Sequence, residues 1–112
     1  MDLSKLREYG ANVDEGMGRC LNNESFYLML VDEALKDTTL LNLEGLIKEK
    51  NFKEAFELTH ALKGMYGNLS ITPLFNAVAT IVEPLRRNED IDYTEMIKNV
   101  MDEFNKFQAL QN

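Results

Sequence analysis

The chain has 112 residues, 45% of them apolar and 28% charged, with a formal charge of -7 and a pI near 4.7. That length holds one compact domain with a real core and is too short for two, and the composition needs no disorder to explain it. The acid excess excludes a nucleic-acid or anionic-membrane surface, which would need a basic stripe, and no apolar run approaches the roughly 18 residues of a membrane span.

Helix formers dominate, tryptophan is absent, and no long stretch alternates apolar with polar. The start, Met1-Asp2-Leu3-Ser4-Lys5, lacks the apolar core of a signal peptide. Cys20 is alone, so no internal disulfide is possible, which agrees with a reducing compartment. A cytoplasmic monomer is expected. Cys20 itself reads as a half-buried residue at a helix end, with only Arg19 beside it to lower its pKa, so a redox role is disfavoured.

Leu3 to Tyr9 forms a short amphipathic pattern stopped by Gly10. Asn12 or Asp14 can cap a second short helix through Met17 and Cys20, and Asn22-Asn23 makes the following turn. From Asn23 or Ser25 a longer helix runs to about Asp37, its apolar face made by Phe26, Leu28 to Val31, Ala34 and Leu35. Thr38 or Thr39 can cap the next, which turns Leu40, Leu43, Leu46 and Ile47 inward and ends on Lys48 and Lys50, favoured by its C-terminal dipole. Asn51 is the turn.

The stretch from Asn51 to Ser70 follows and carries the only histidine. Its apolar residues Phe52, Ala55, Thr59 (through its methyl), Leu62, Tyr66 and Leu69 recur at steps of three and four, so they share one core-facing stripe of a helix. His60 falls about 140° from that stripe, toward solvent, with Phe56 one turn before it and Gly64 and Gly67 one and two turns after. Thr72-Pro73 then reads as a cap and a first-turn proline, opening a helix through Leu74, Val78, Ile81, Val82 and Leu85. Pro84 should kink or end it. After a turn at Asn88 to Asp92, Asp92 and Glu95 have capping-box spacing, and the last helix packs through Ile97, Val100, Met101, Phe104, Phe107 and Leu110. Met29, Met96 and Met101 read as core filler. Long amphipathic segments on short turns imply an all-α fold. Residues 1–112 form a single domain, with short leading helices in 1–22 and an up-and-down antiparallel four-helix bundle in 23–112.

Glycine inside a helix costs about 0.5–1 kcal/mol against alanine, so Gly64 and Gly67 need a reason. A side chain at Gly64 would stand over the imidazole, and its absence opens an approach to His60. Lys63 is a mobile cation placed to hold an anion attached to the ring, although a lysine covering the core edge with its stem reads the same way. A nucleophilic nitrogen, an adjacent cation and a cleared approach point to a phosphorylated histidine.

At these residues the chain resembles a known family. His60-Ala61-Leu62-Lys63-Gly64 followed by Gly67-Asn68-Leu69 is similar to the H-x-L-K-G-x-x-x-N-[IL]-G signature of histidine-containing phosphotransfer (HPt) domains. Val13 to Leu30 is similar to that family's lead-in helix, loop and first bundle helix. Ser70 stands where the family usually has glycine, which bears on the detail of the helix end. The resemblance implies a phosphorelay carrier whose His60 accepts a phosphoryl group from a receiver-domain aspartate and passes it to another. Its partners would be response-regulator receiver domains and a hybrid histidine kinase, with Mg²⁺ on the receiver and no cofactor or metal of its own. Phe56, Gly67 and Asn68 are the candidate docking residues. Asn68 has two roles open to it, donating to a phosphoryl oxygen or finishing the helix end, and an exposed Phe56 needs no function on its own.

No G-x-x-x-x-G-K-[ST] cradle is present, so the chain is expected to be a carrier and not a kinase or other enzyme. A hydrolase using His60 as base lacks a nucleophile, since Thr59 lies toward the core and Ser70 toward the helix end. With one His and one Cys, a zinc site would have to rest on carboxylates. The rival reading is a four-helix docking module that binds a receiver or another partner without carrying phosphate.

Overall fold

The computed structural model describes residues 1–111; Asn112, the last residue of the expected domain, lies outside them. Among the described residues there are helices and turns and no strand. In chain order the helices are α1 (Leu3–Glu8), α2 (Val13–Arg19), α3 (Glu24–Lys36), a 3₁₀ turn (Thr39–Asn42), α4 (Leu43–Lys48), α5 (Phe52–Asn68), α6 (Thr72–Arg86) and α7 (Thr94–Gln108). None is long and apolar enough to cross a membrane.

Local sequence sets most of the helix starts. Asp2, Asn12, Asn23 and Asn51 each turn a side-chain oxygen onto the backbone amide three residues on, at 2.8–3.3 Å, satisfying a donor that the first turn leaves free. Three expected caps differ. Thr38 makes no side-chain cap; Asp37 instead accepts from the Thr39 amide at 3.0 Å and hydroxyl at 2.7 Å, and the chain enters a 3₁₀ turn before the six residues of α4. Thr72 is already helical, behind Ile71, and its hydroxyl donates to the Ser70 carbonyl. Asp92 accepts from the Thr94 amide at 2.9 Å, one residue from the N-cap Tyr93, so the expected reciprocal box with Glu95 does not form.

The ends are equally specific. Lys50, Ser70 and Asn88 hold left-handed backbone just past α4, α5 and α6. The residue after each donates back to Leu46, Tyr66 and Pro84 respectively, the six-to-one bond that closes a helix C-terminus. α6 therefore stops at Arg86, within a turn of Pro84, as a proline there requires.

Packing runs most extensively between α5 and α6, then α6 and α7, with α4 and the 3₁₀ turn against α5 and with α3 against α7. Phe52, Ala55, Thr59, Leu62, Tyr66 and Leu69 are all buried, as the stripe requires. The Thr59 hydroxyl is satisfied within its own helix by the Ala55 carbonyl at 2.8 Å. On α3 the buried face is narrower than its composition suggests. Tyr27, Val31, Ala34 and Leu35 face inward, whereas Phe26 and Met29 are 43% and 50% exposed, so Met29 is not core filler. Met96 and Met101 are half-buried. Cys20 is fully buried at the C-terminus of α2, not half-buried.

One joint fixes the leading helices to the end of α5. The Tyr27 hydroxyl donates 2.7 Å to the Leu69 carbonyl, and burial pushes its pKa up to about 12. A Cβ on Gly16 would lie 2.5 Å from the Tyr27 ring and 2.8 Å from the Leu69 carbonyl oxygen, so only glycine lets α2 cross here.

Candidate functional site

His60 lies on the outer face of α5 and is exposed. One turn earlier, the Phe56 ring stacks on the imidazole, with centroids 5.3 Å apart and planes 19° from parallel. On that same Phe56 ring rests the guanidinium of Arg86 from α6, 4.9 Å from its centroid. Phe56 is therefore half-buried between two side chains and not the exposed docking aromatic the helical wheel suggests. One turn later, a Cβ built on Gly64 would meet nothing within 4 Å. No packing demands that glycine.

Gly67 is different. A Cβ there would come within 3.0 Å of the Phe75 ring, so this half-buried glycine seats an aromatic side chain from α6 while still lining the groove beside His60. The Lys63 ammonium lies 5.9 Å from the centroid of that Phe75 ring. Every lysine and arginine of the chain except Lys53 and Lys63 pairs with a carboxylate among the described residues. In a chain with 19 acids against 12 bases, the cation beside His60 is thus left without an anion.

His60, Lys63, Gly64 and Asn68 line an open groove of about 640 Å³, which Phe75 and Asn76 continue along α6. Asn68 is exposed there. Its far wall is a polar network. Arg19 donates to the Ser70 hydroxyl at 2.7 Å and to the carbonyls of Gly67 and Asn68 at 3.0 and 3.3 Å. The Ser70 hydroxyl donates to a Glu15 carboxylate oxygen at 2.8 Å, and Glu15 pairs with Arg19 at 3.0 Å. The Ser70 hydrogen bond, and then Arg19, hold the Glu15 carboxyl below its usual pKa.

The network explains how Ser70 stands in a glycine position. Its φ is +55°, the left-handed region where a side chain strains the backbone, and its hydroxyl makes two bonds that a glycine lacks. Arg19, Glu15, Phe75 and Arg86 are the site residues that sequence reasoning missed. Each comes from another helix; the one available signal was Ser70, a non-glycine at a helix end that calls for a compensating partner. Among the described residues no three His, Cys, Asp or Glu side chains converge as metal ligands would.

Comparison with protein-family models, curated proteins and solved structures gives no match for this chain.

Proposed function

We propose that this chain is a phosphorelay carrier of the HPt kind, in which α3, α5, α6 and α7 form an up-and-down four-helix bundle and His60 carries the phosphoryl group. One observation carries the reading. Gly64 weakens α5 without any packing need, and the space it leaves joins His60 and an unpaired Lys63 in one open groove.

In this reading a lone pair of the His60 ring nitrogen Nε2 attacks the phosphorus of an aspartyl phosphate on a receiver domain. The P–N bond forms as the P–O bond to the aspartate breaks, and the carboxylate leaves with that electron pair. Passage to the next receiver reverses these bonds. Lys63 offsets the charge of the phosphoryl oxygens, and Mg²⁺ belongs to the receiver. The groove faces the partner, so water is excluded only once a receiver covers it. A hybrid histidine kinase upstream and a response regulator downstream are the implied partners.

The test is incubation of the purified protein with an acetyl-phosphate-charged receiver domain and Mg²⁺, followed by intact mass. An acid-labile phosphoryl adduct on the wild type and none on His60→Gln is expected. Receivers that bind yet never transfer would replace the carrier with the non-phosphorylated docking module.

A further inference from the structure

The stack of Arg86, Phe56 and His60 does more than bury an aromatic ring. We infer that Phe56 is a positioning residue: packed also against Arg86, it favours one plane of the His60 imidazole, with the ring edge on the Gly64 side, in the groove. The inference rests on the carrier reading for its use, and on geometry alone for the positioning.

An exposed histidine on a helix ordinarily samples its rotamers freely. Here one side of the ring is closed and the other open. Phe56 covers the imidazole from the preceding turn at 5.3 Å and 19°, whereas Gly64 offers no atom on the following turn. Arg86 lies 4.9 Å from the Phe56 centroid and contacts Glu83 at 3.3 Å through Nε, which favours the packed position of the Phe56 ring. The charges facing this column from α6 are therefore Arg86 and Glu83. The groove in which His60 lies does not include Phe56. A receiver entering the groove meets the imidazole edge, with Phe56 behind it.

Stacking of this kind favours the stacked rotamer roughly two- to tenfold. Losing it lowers the fraction of His60 rings aligned for in-line attack by at most that factor. The rate at saturating receiver then falls while the receiver concentration for half-saturation holds. A docking role for Phe56 predicts the reverse split.

The experiment has two arms, on wild type, Phe56→Leu and Phe56→Tyr. Since His60 is the only histidine, its ring protons are unambiguous in a proton NMR spectrum. They are expected upfield in wild type and Phe56→Tyr, where an aromatic face lies over them, and at free-imidazole positions in Phe56→Leu. Single-turnover transfer from a charged receiver should slow by up to about tenfold at saturation in Phe56→Leu and recover in Phe56→Tyr. Wild-type ring protons at free positions, or a Phe56→Leu defect confined to half-saturation, overturn the inference. If the wild type accepts no phosphoryl group, the carrier reading fails, and the NMR arm alone decides whether Phe56 holds the ring.

Discussion

Arg19 reaches across 51 residues of sequence to donate a 2.7 Å hydrogen bond to the Ser70 hydroxyl. The bond joins the end of α2 to the left-handed residue that terminates the histidine helix, so the far wall of the groove and the exit of α5 are one structure. Ser70→Ala keeps the backbone strain and loses both hydroxyl bonds, each worth about 0.5–1.5 kcal/mol. Ser70→Gly loses the same bonds and relieves about 1–2 kcal/mol of left-handed strain. Urea unfolding should rank wild type above or level with Ser70→Gly, and Ser70→Gly above Ser70→Ala; an alanine variant as stable as the glycine one would rule this account out.

The two glycines of α5 should respond unequally to a methyl group. Gly64→Ala enters open space and gains helix propensity, so stability rises by about 0.5–1 kcal/mol while transfer to His60 slows. In Gly67→Ala the same gain is offset by displacement of the Phe75 ring, and the net increase is smaller. A double-mutant cycle with Phe75→Ala, read by thermal unfolding, should restore the missing gain.

Lys63 makes no ion pair among the described residues, so removing it should leave the fold intact. Lys63→Ala should change unfolding free energy by less than about 0.5 kcal/mol, as surface substitutions do. Phosphotransfer should fall roughly ten- to hundredfold, somewhat under the loss of a fully enclosed oxyanion donor. Equal transfer rates for wild type and Lys63→Ala would remove the cation from the mechanism.

Glu15 supplies a pH dependence of fixed sign. Its carboxyl is held below the usual 4.5 by the Ser70 hydroxyl and then by Arg19, so the folded state favours the ionised form. That stabilisation is complete above the unfolded value and is lost as pH falls through the lower folded one. The stability gap between wild type and Glu15→Gln should therefore be constant near neutrality and close progressively below about pH 4.5. A gap that widened on acidification would contradict the network.

The core stripe of α5 was legible because six inward residues on one long helix repeat at the helical period, and the period survives any arrangement of neighbours. His60, Lys63 and Gly64 were legible for the same reason, since they share little more than one turn. Caps were readable at Asn12 and Asn23, each one of two candidates, where an asparagine acts on the amide three residues on; Asn51, read only as a turn, caps α5 in the same way. They were misplaced at Thr38 and Thr72, where the chain turned a residue early or late. The partial burial of Phe56 and the packing of Gly67 against Phe75 were not legible because a helical wheel contains one helix. Arg86 and Phe75 arrive from α6 and cover that face, and Arg19 and Glu15 arrive from α2. Nothing in the spacing of α5 announces them.

Cys20 is the chain's only thiol, and it is sealed where α2 ends and turns toward α3. A maleimide reaches the buried thiol through local opening, and because Cys20 caps α2, lifting of that helix with Arg19 and Glu15 is one such opening. When reclosing outpaces labelling, the alkylation rate reports the population of that lifted state. The native sequence thus carries its own clock for the motion that would dismantle one side of the groove, and a bound partner that holds α2 in place should slow it.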